Sequence, residues 1–269
     1  MTDQEIITLF LETKEWQTFE CKRAAVQPSK LLETVVAFAN SDGGYIVIGL
    51  EDPAKAKNEK RLVGISENDN NVSDFLKLID KEIDPQLRLW NKFELDITNT
   101  RGKPDKLLVV NVKKSNDVHS LRKGDTFIRK GKQNVKIGSS EIIRLKYEKG
   151  SIKFEDERTT FDSLDDLDID LFTKYKQETQ SQNQDNFQFL KDNGLAVKEK
   201  NKSYLTKAAI LLFGKNPSIT LKSKSGVKIS HYYGKKPSYT GEPNFVKRPF
   251  TIEGPLLYQI ENTVKYFKE

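Results

Sequence analysis

The sequence predicts an α/β (α+β) fold, a mixed-sheet domain followed by a smaller α+β domain, and three observations predict it. Strand-like and helix-like hydrophobic periods alternate along the chain. Glu15 to Asp52 reads as a strand–helix–strand unit with charged residues at its strand ends. The charge balance also breaks after residue 150: 26 basic against 23 acidic residues (+3) over 1–150, 5 against 11 (−6) over 151–193, and 14 against 5 (+9) over 194–269. We therefore expect a first domain over 1–150, an acidic helical connector over 151–193, and a basic α+β domain over 194–269.

In chain order, Glu5 to Lys14 fits an amphipathic helix with Ile6, Leu9 and Phe10 inward. Trp16 to Ala24 alternates as a strand, with Phe19 and Cys21 on one face and Thr18, Glu20 and Lys22 on the other. Ser29 is placed to cap a helix over 30–40 with Leu31, Val35, Phe38 and Ala39 as its apolar stripe. Asp42-Gly43-Gly44 breaks it, and Tyr45 to Leu50 is apolar enough for a strand buried on both faces. Leu62 to Ile65 suggests a short strand, and Val72 to Ile83 a helix facing inward through Phe75, Leu76 and Ile79. Leu87 to Ile97 and Lys106 to Val112 pair across a turn at 101–104, Asp125 to Arg129 forms a strand leading into a Lys130-Gly131-Lys132 loop, and Ser140 to Tyr147 is a helix. Further on, helices are expected over 170–179, 185–191, 207–213 (capped by Thr206) and 256–267, with a strand over 227–233. The chain closes on that last helix without a tail, as a chain shortened before a further domain would.

A single cysteine excludes an internal disulfide and a cysteine zinc site, and two histidines add little, so any metal is expected on oxygen ligands. No stretch approaches the roughly 18 apolar residues of a membrane span, and the N-terminus has no signal-peptide pattern. A cytoplasmic protein with no membrane partner is expected. The basic C-terminal third beside an acidic stretch suggests a polyanionic partner; a merely lysine-rich surface is the alternative.

Glu20 and Lys22 stand two apart on a strand and leave the same face. A carboxylate beside an ammonium suits phosphodiester hydrolysis, the first holding Mg²⁺ or Mn²⁺ and the second steadying charge on phosphorus. Glu15 with Glu51 or Asp52 would complete a metal set. Glu15 has the wrong parity for that face unless it precedes the strand or follows a bulge. An exposed Glu–Lys pair on an edge strand is the alternative reading. Lys113, Lys114, Arg122, Lys123, Arg129, Lys130, Lys132 and Lys136 form a dense basic cluster, suited to phosphate contacts that carry no sequence information. Gly43 and Gly44 either approach a phosphate or simply end a helix.

Phe19-Glu20-Cys21-Lys22, Ala37 to Gly44, Ile48 to Asp52, Leu62-Val63-Gly64 and Phe127 to Gly131 resemble, in order and spacing, the Schlafen AlbA-like (AlbA_2) domain over about residues 10–150. The segment 205–217 is similar to the middle region of bacterial proteins that join this domain to a GHKL-type ATPase. The resemblance implies a nucleic-acid-binding domain. In animal Schlafens it is a metal-dependent endoribonuclease acting on structured RNA such as transfer RNA, and a role in phage defence follows from the same kinship. Its carboxylate triad maps onto Glu15, Glu20 and the Glu51-Asp52 pair, with Lys22 beside it and Mg²⁺ or Mn²⁺ as cofactor. Cys21 stands where the family often has Phe. Animal Schlafens build a horseshoe from two lobes, whereas residues 194–269 do not repeat the first domain, so a clamp here would require a homodimer. Many bacterial relatives are described only as DNA-binding transcriptional regulators, which makes a module without turnover the competing expectation.

Overall fold

The computed structural model describes residues 2–180, 182–235 and 244–268. The chain divides into two compact units, 1–152 and 153–269.

The first unit opens with α1 (Asp3–Glu12), capped reciprocally by Thr2 and Glu5. Strand β1 (Phe19–Lys22) is shorter than the period-2 pattern predicts, because Trp16 and Phe19 pair across a tight reversal that takes residues 16–18 out of the strand. Helix α2 (Pro28–Asn40) begins at Pro28 with Gln27 as its N-cap, not at Ser29; proline's fixed φ suits the first helical turn, where no amide bond is lost. Then follow β2 (Gly44–Ile48), α3 (Asp69–Glu82), the two-residue β3 (Ile83–Asp84), β4 (Trp90–Thr98) and β5 (Pro104–Val112). The unit ends with β6 (Ser120–Leu121), β7 (Thr126–Lys130), β8 (Gln133–Ile137) and α4 (Ser139–Glu148). The strand expected at 62–65 is only a bridge between Leu50 and Leu62, flanked by short 3₁₀ turns.

The main sheet runs β1-β2-β5-β4, with β1 parallel to β2 and the other pairs antiparallel. Its two faces hold separate cores. On one, Ile46, Ile48, Leu108 and Val110 meet α2 and α3; on the other, Phe19, Cys21, Val47, Leu107 and Val109 meet Ile7 and Phe10 of α1. Burial of both faces is why β2 reads as an unbroken apolar run. Helix α2 is likewise buried on nearly every side, beyond the single stripe its pattern predicts, because it packs against α3 and the β7–β8 hairpin as well as the sheet.

Asn40, at the end of α2, ties these layers together. Its side-chain amide donates to the His119 and Phe127 carbonyls at 2.7 and 2.9 Å, and its oxygen accepts the His119 N–H at 2.8 Å. His119 is buried in turn, its ring nitrogens 2.7 Å from the Pro85 carbonyl oxygen and 2.8 Å from Ser115 Oγ.

The second unit contains α5 (Ile169–Glu178), α6 (Asn186–Asp192), a β9 (Ala196–Glu199)–β10 (Lys202–Leu205) hairpin, α7 (Lys207–Phe213), α8 (Pro217–Thr220), an antiparallel β11 (Val227–Tyr232)–β12 (Phe245–Ile252) pair and α9 (Leu256–Lys268). The expected acidic connector is no separate piece. Leu167, Phe172, Phe189 and Leu190 share one core with Leu205, Ile210 and Phe213, where Phe172 meets Phe189 and Phe213 edge-on. Surface acidity had masked an inward aromatic face. Among the described residues no helix is long and apolar enough to cross a membrane.

Asn40→Ala would strand three buried backbone groups, and a loss of about 2–4 kcal/mol is expected. Urea unfolding of the full chain, followed by Trp90 fluorescence in a Trp16→Phe background, measures it.

Candidate carboxylate edge and basic rim

Strand β1 lies at the edge of the sheet, and the reversal at Trp16–Phe19 brings Glu15 alongside that edge. This resolves the parity problem: Glu15 precedes the strand and reaches the site laterally. One oxygen of Glu15 accepts the Cys21 N–H at 3.2 Å, taking the place of a neighbouring strand, and the same oxygen accepts from Lys22 Nζ at 2.8 Å. Lys22 Nζ also pairs with Glu20 Oε1, so two carboxylate oxygens converge on one ammonium. Burial opposes the charge on Lys22, but Glu20 and Glu15 outweigh it and hold the ammonium above the usual lysine range. Cys21 is pushed up to about 12, chiefly by burial and then by the Glu15 charge, which leaves it an inert core thiol.

Glu20 is only 4% exposed, and its second oxygen pairs with Arg129. Arg129, expected in the basic cluster, is 3% exposed and faces inward, so it is no surface phosphate contact. Its guanidinium donates to the Trp16 carbonyl at 3.2 and 3.0 Å, to the Phe19 carbonyl at 3.4 Å and to Asn134 Oδ1 at 2.8 Å, and it sits 5.1 Å from the Phe38 ring centroid. Its alternation with exposed Lys130 on β7 was a readable signal; seven nearby basic residues concealed it.

Glu51 and Asp52 lie past β2 but do not join Glu15 and Glu20. Glu51 pairs with Arg23 at 3.2 Å, and Arg23 also holds Glu67, whose carboxyl that hydrogen bond keeps below the usual range. Buried Arg61 fixes this segment by donating to the Glu51 carbonyl at 2.8 Å and to the Leu11 carbonyl at the end of α1 at 2.5 Å. Asp52 Oδ1 accepts the Ala54 N–H at 2.8 Å in a local turn. The four carboxylates are hard oxygen donors suited to Mg²⁺ or Mn²⁺, yet as arranged they do not fit a closed cation site. Among the described residues no group of three or more His, Cys, Asp or Glu is placed to hold a metal ion.

Gln17, which the sequence reading passed over, joins the edge to a basic rim. Its amide nitrogen donates to Asp42 Oδ2 at 2.9 Å and to the Arg129 carbonyl at 3.0 Å, while its oxygen accepts the Gly131 N–H at 2.8 Å. Asp42 lies 3.9 Å from Lys114 Nζ, so Lys114, Asp42, Gln17 and the Gly131-Lys132 turn are linked along one surface, with exposed Lys113 next to Lys114 in the chain. Gly43, at φ +77, donates its N–H to the Phe38 carbonyl at 2.9 Å; the amide closes α2 and is not free for phosphate.

The remaining basic residues lie elsewhere. Lys123 and Lys136 share Asp125, at 3.6 and 2.7 Å, and Arg122 donates to the Lys81 carbonyl. Asp125 precedes β7, so it lies about 20 Å along the hairpin from its 131–132 turn, at roughly 3.3 Å per residue. Lys130 lines a shallow cleft of about 240 Å³ with Ile128, Glu141 and Arg144. Behind the rim, Lys149 donates to the Ala39 carbonyl at 3.2 Å and to the Ser115 carbonyl. Burial first, and Lys114 second, bring its pKa down to about 8.

Lys149 is therefore expected to lose its proton near pH 8, more than two units before an ordinary lysine. Lys114→Ala removes the like charge and moves the midpoint upward. NMR titration of the lysine side-chain resonances reads both; a wild-type midpoint above 10 would contradict this.

Comparisons with known proteins follow the two units. Residues 15–138 match the family model described as Schlafen, AlbA_2, and residues 153–225 match a domain of unknown function (DUF8451). A search of curated proteins finds no match. Among solved structures, the DIP2311 protein of Corynebacterium diphtheriae is similar at 15% identity and a TM-score of 0.39 over 98% of this chain. This chain spans 46% of that one, and the superposition is too loose for residues to be equated. The carboxylate edge, Arg129 and the basic rim all fall inside residues 15–138, the segment that matches the Schlafen AlbA_2 family model, and this match suggests nucleic-acid binding.

Proposed function

We propose that the first unit binds RNA through phosphate contacts from Lys113, Lys114 and Lys132. One observation carries the reading: Lys113 and Lys132 are exposed and make no ion pair among the described residues, whereas Lys123 and Lys136 already share Asp125. Unpaired cations on one surface have the most counterions to exchange for phosphates. The nuclease activity of animal Schlafens on transfer RNA supports RNA over DNA. Lys113→Glu with Lys132→Glu is expected to weaken transfer-RNA binding and to flatten the log K against log salt slope by about 1.5 units, at 0.7–0.9 per lost contact. Lys123→Glu with Lys136→Glu serves as the control and should leave the slope in place. Fluorescence anisotropy across a salt series measures both; equal slopes in all three proteins would refute the assignment.

A second reading is metal-dependent hydrolysis of the bound RNA, with Mg²⁺ or Mn²⁺ held by Glu15 and Glu20 together with Glu51 or Asp52. What supports it is the convergence of the Glu15 and Glu20 oxygens on a single cation, here the Lys22 ammonium. On this reading Lys22 assists at the scissile phosphate, and Glu51 or Asp52 must leave its present partner to complete the ligand set. Transfer RNA and duplex DNA incubated with Mn²⁺ test it. Fragments from wild type but not from Glu15→Gln, with unchanged RNA affinity, are the expected result. Intact substrates with wild type would leave a binding module without turnover, the activity expected of a regulator.

A further inference from the structure

Trp16 is 65% exposed, an unusual position for an indole, and it sits between the carboxylate edge and the basic rim. Its backbone is hydrogen-bonded through both its N–H and its carbonyl. The Trp16 N–H donates to the Phe19 carbonyl at 3.0 Å, and the Trp16 carbonyl accepts two bonds from the buried Arg129 guanidinium. The six-membered part of the ring rests against Gly131: a Cβ built on that glycine would lie 3.4 Å from Cη2 and Cζ3. Gly131 has φ +60 at the β7–β8 turn, and Gln17 Oε1 pins its amide. The glycine serves the left-handed turn, and the indole packs within van der Waals reach of it. A large aromatic surface is held out to solvent on a fixed backbone, next to Lys132 and directly after Glu15.

We propose that Trp16 is a stacking platform for an unpaired nucleobase, so that the site selects RNA offering a single-stranded or bulged nucleotide beside the bound phosphates over continuous duplex. The inference rests on the nucleic-acid reading of the rim and deepens it. Phosphate contacts alone do not distinguish paired from unpaired strands. An exposed indole does, because every base has a π-face but a base inside a duplex has both faces covered. Pre-organisation by Arg129 and Gly131 lowers the ordering entropy that such a contact otherwise costs. A protein partner would also use an exposed tryptophan, but the unpaired lysine beside it favours a polyanion.

The test uses three RNA probes matched in charge to within one phosphate: a single strand, a perfect duplex, and that duplex with one bulged nucleotide. Trp90→Phe is the background, so that Trp16 is the sole tryptophan. Single-stranded and bulged RNA are expected to quench Trp16 fluorescence, and duplex to leave it unchanged. Trp16→Ala should weaken single-strand binding about 5- to 150-fold, the equivalent of 1–3 kcal/mol for one stacked base, with duplex affinity unaltered and Trp16→Phe recovering most of the loss. Lys113→Glu with Lys132→Glu should weaken both. Equal single-strand affinity in wild type and Trp16→Ala, or an equal loss on all three probes, overturns the stacking role while the phosphate-binding reading stands. If wild type binds no probe, both readings fall together.

Discussion

The buried contact between Arg129 and Glu20 is the constraint on which the rest of this edge depends. A carboxylate with 4% exposure needs cationic partners, and a guanidinium with 3% exposure needs acceptors for its donors. Each is satisfied through the same few residues: Arg129 holds Glu20, the carbonyls of Trp16 and Phe19, and Asn134. Asn134 donates to Thr34 Oγ1 at 2.8 Å, so the hairpin is fastened to α2 as well. The pair therefore joins three elements distant in sequence. Removing either partner would leave the other charged and buried, a much larger cost than losing a surface ion pair.

That pair also shapes the electrostatics of the surface. Lys22 bridges Glu15 and Glu20, Arg129 supplies a second cation to Glu20, and Arg23 spans Glu51 and Glu67. The acidic edge is thus largely neutralised from within the protein. Among the described residues the rim lacks such compensation at Lys113 and Lys132, and Lys114 has only a distant Asp42. A polyanion approaching this face meets unpaired cations beside carboxylates already held by their own partners, which allows binding without repulsion from the candidate catalytic groups.

The second unit follows a different logic. Its acidic side chains coat the outside of helices α5 and α6, whose inner faces carry Phe172 and Phe189 and pack with Phe213 of α7, and Thr206 caps α7 by accepting the Ala209 N–H at 3.4 Å. Net charge describes a surface and says little about what lies beneath it. The −6 balance over 151–193 therefore marked a change of surface but no separate connector.

Periodicity alone determined much of the fold. The buried strand at 45–50, the helices around α2 and α3 and the β4–β5 pair were legible because local sequence specifies both their period and their breakers. The shared face of Glu20 and Lys22 followed from the same rule. Tertiary structure alone decided which charges meet. Arg129 looked like seven neighbouring basic residues until a carboxylate 109 positions away claimed it. Glu15 had the wrong parity until a reversal placed it at the strand's edge, and Gln17 carried no pattern because its partners are Asp42, in the turn after α2, and Arg129 and Gly131, in the distant β7–β8 hairpin. Hydrophobic period is a property of neighbouring residues, whereas pairing of polar groups is a property of the space they are folded into.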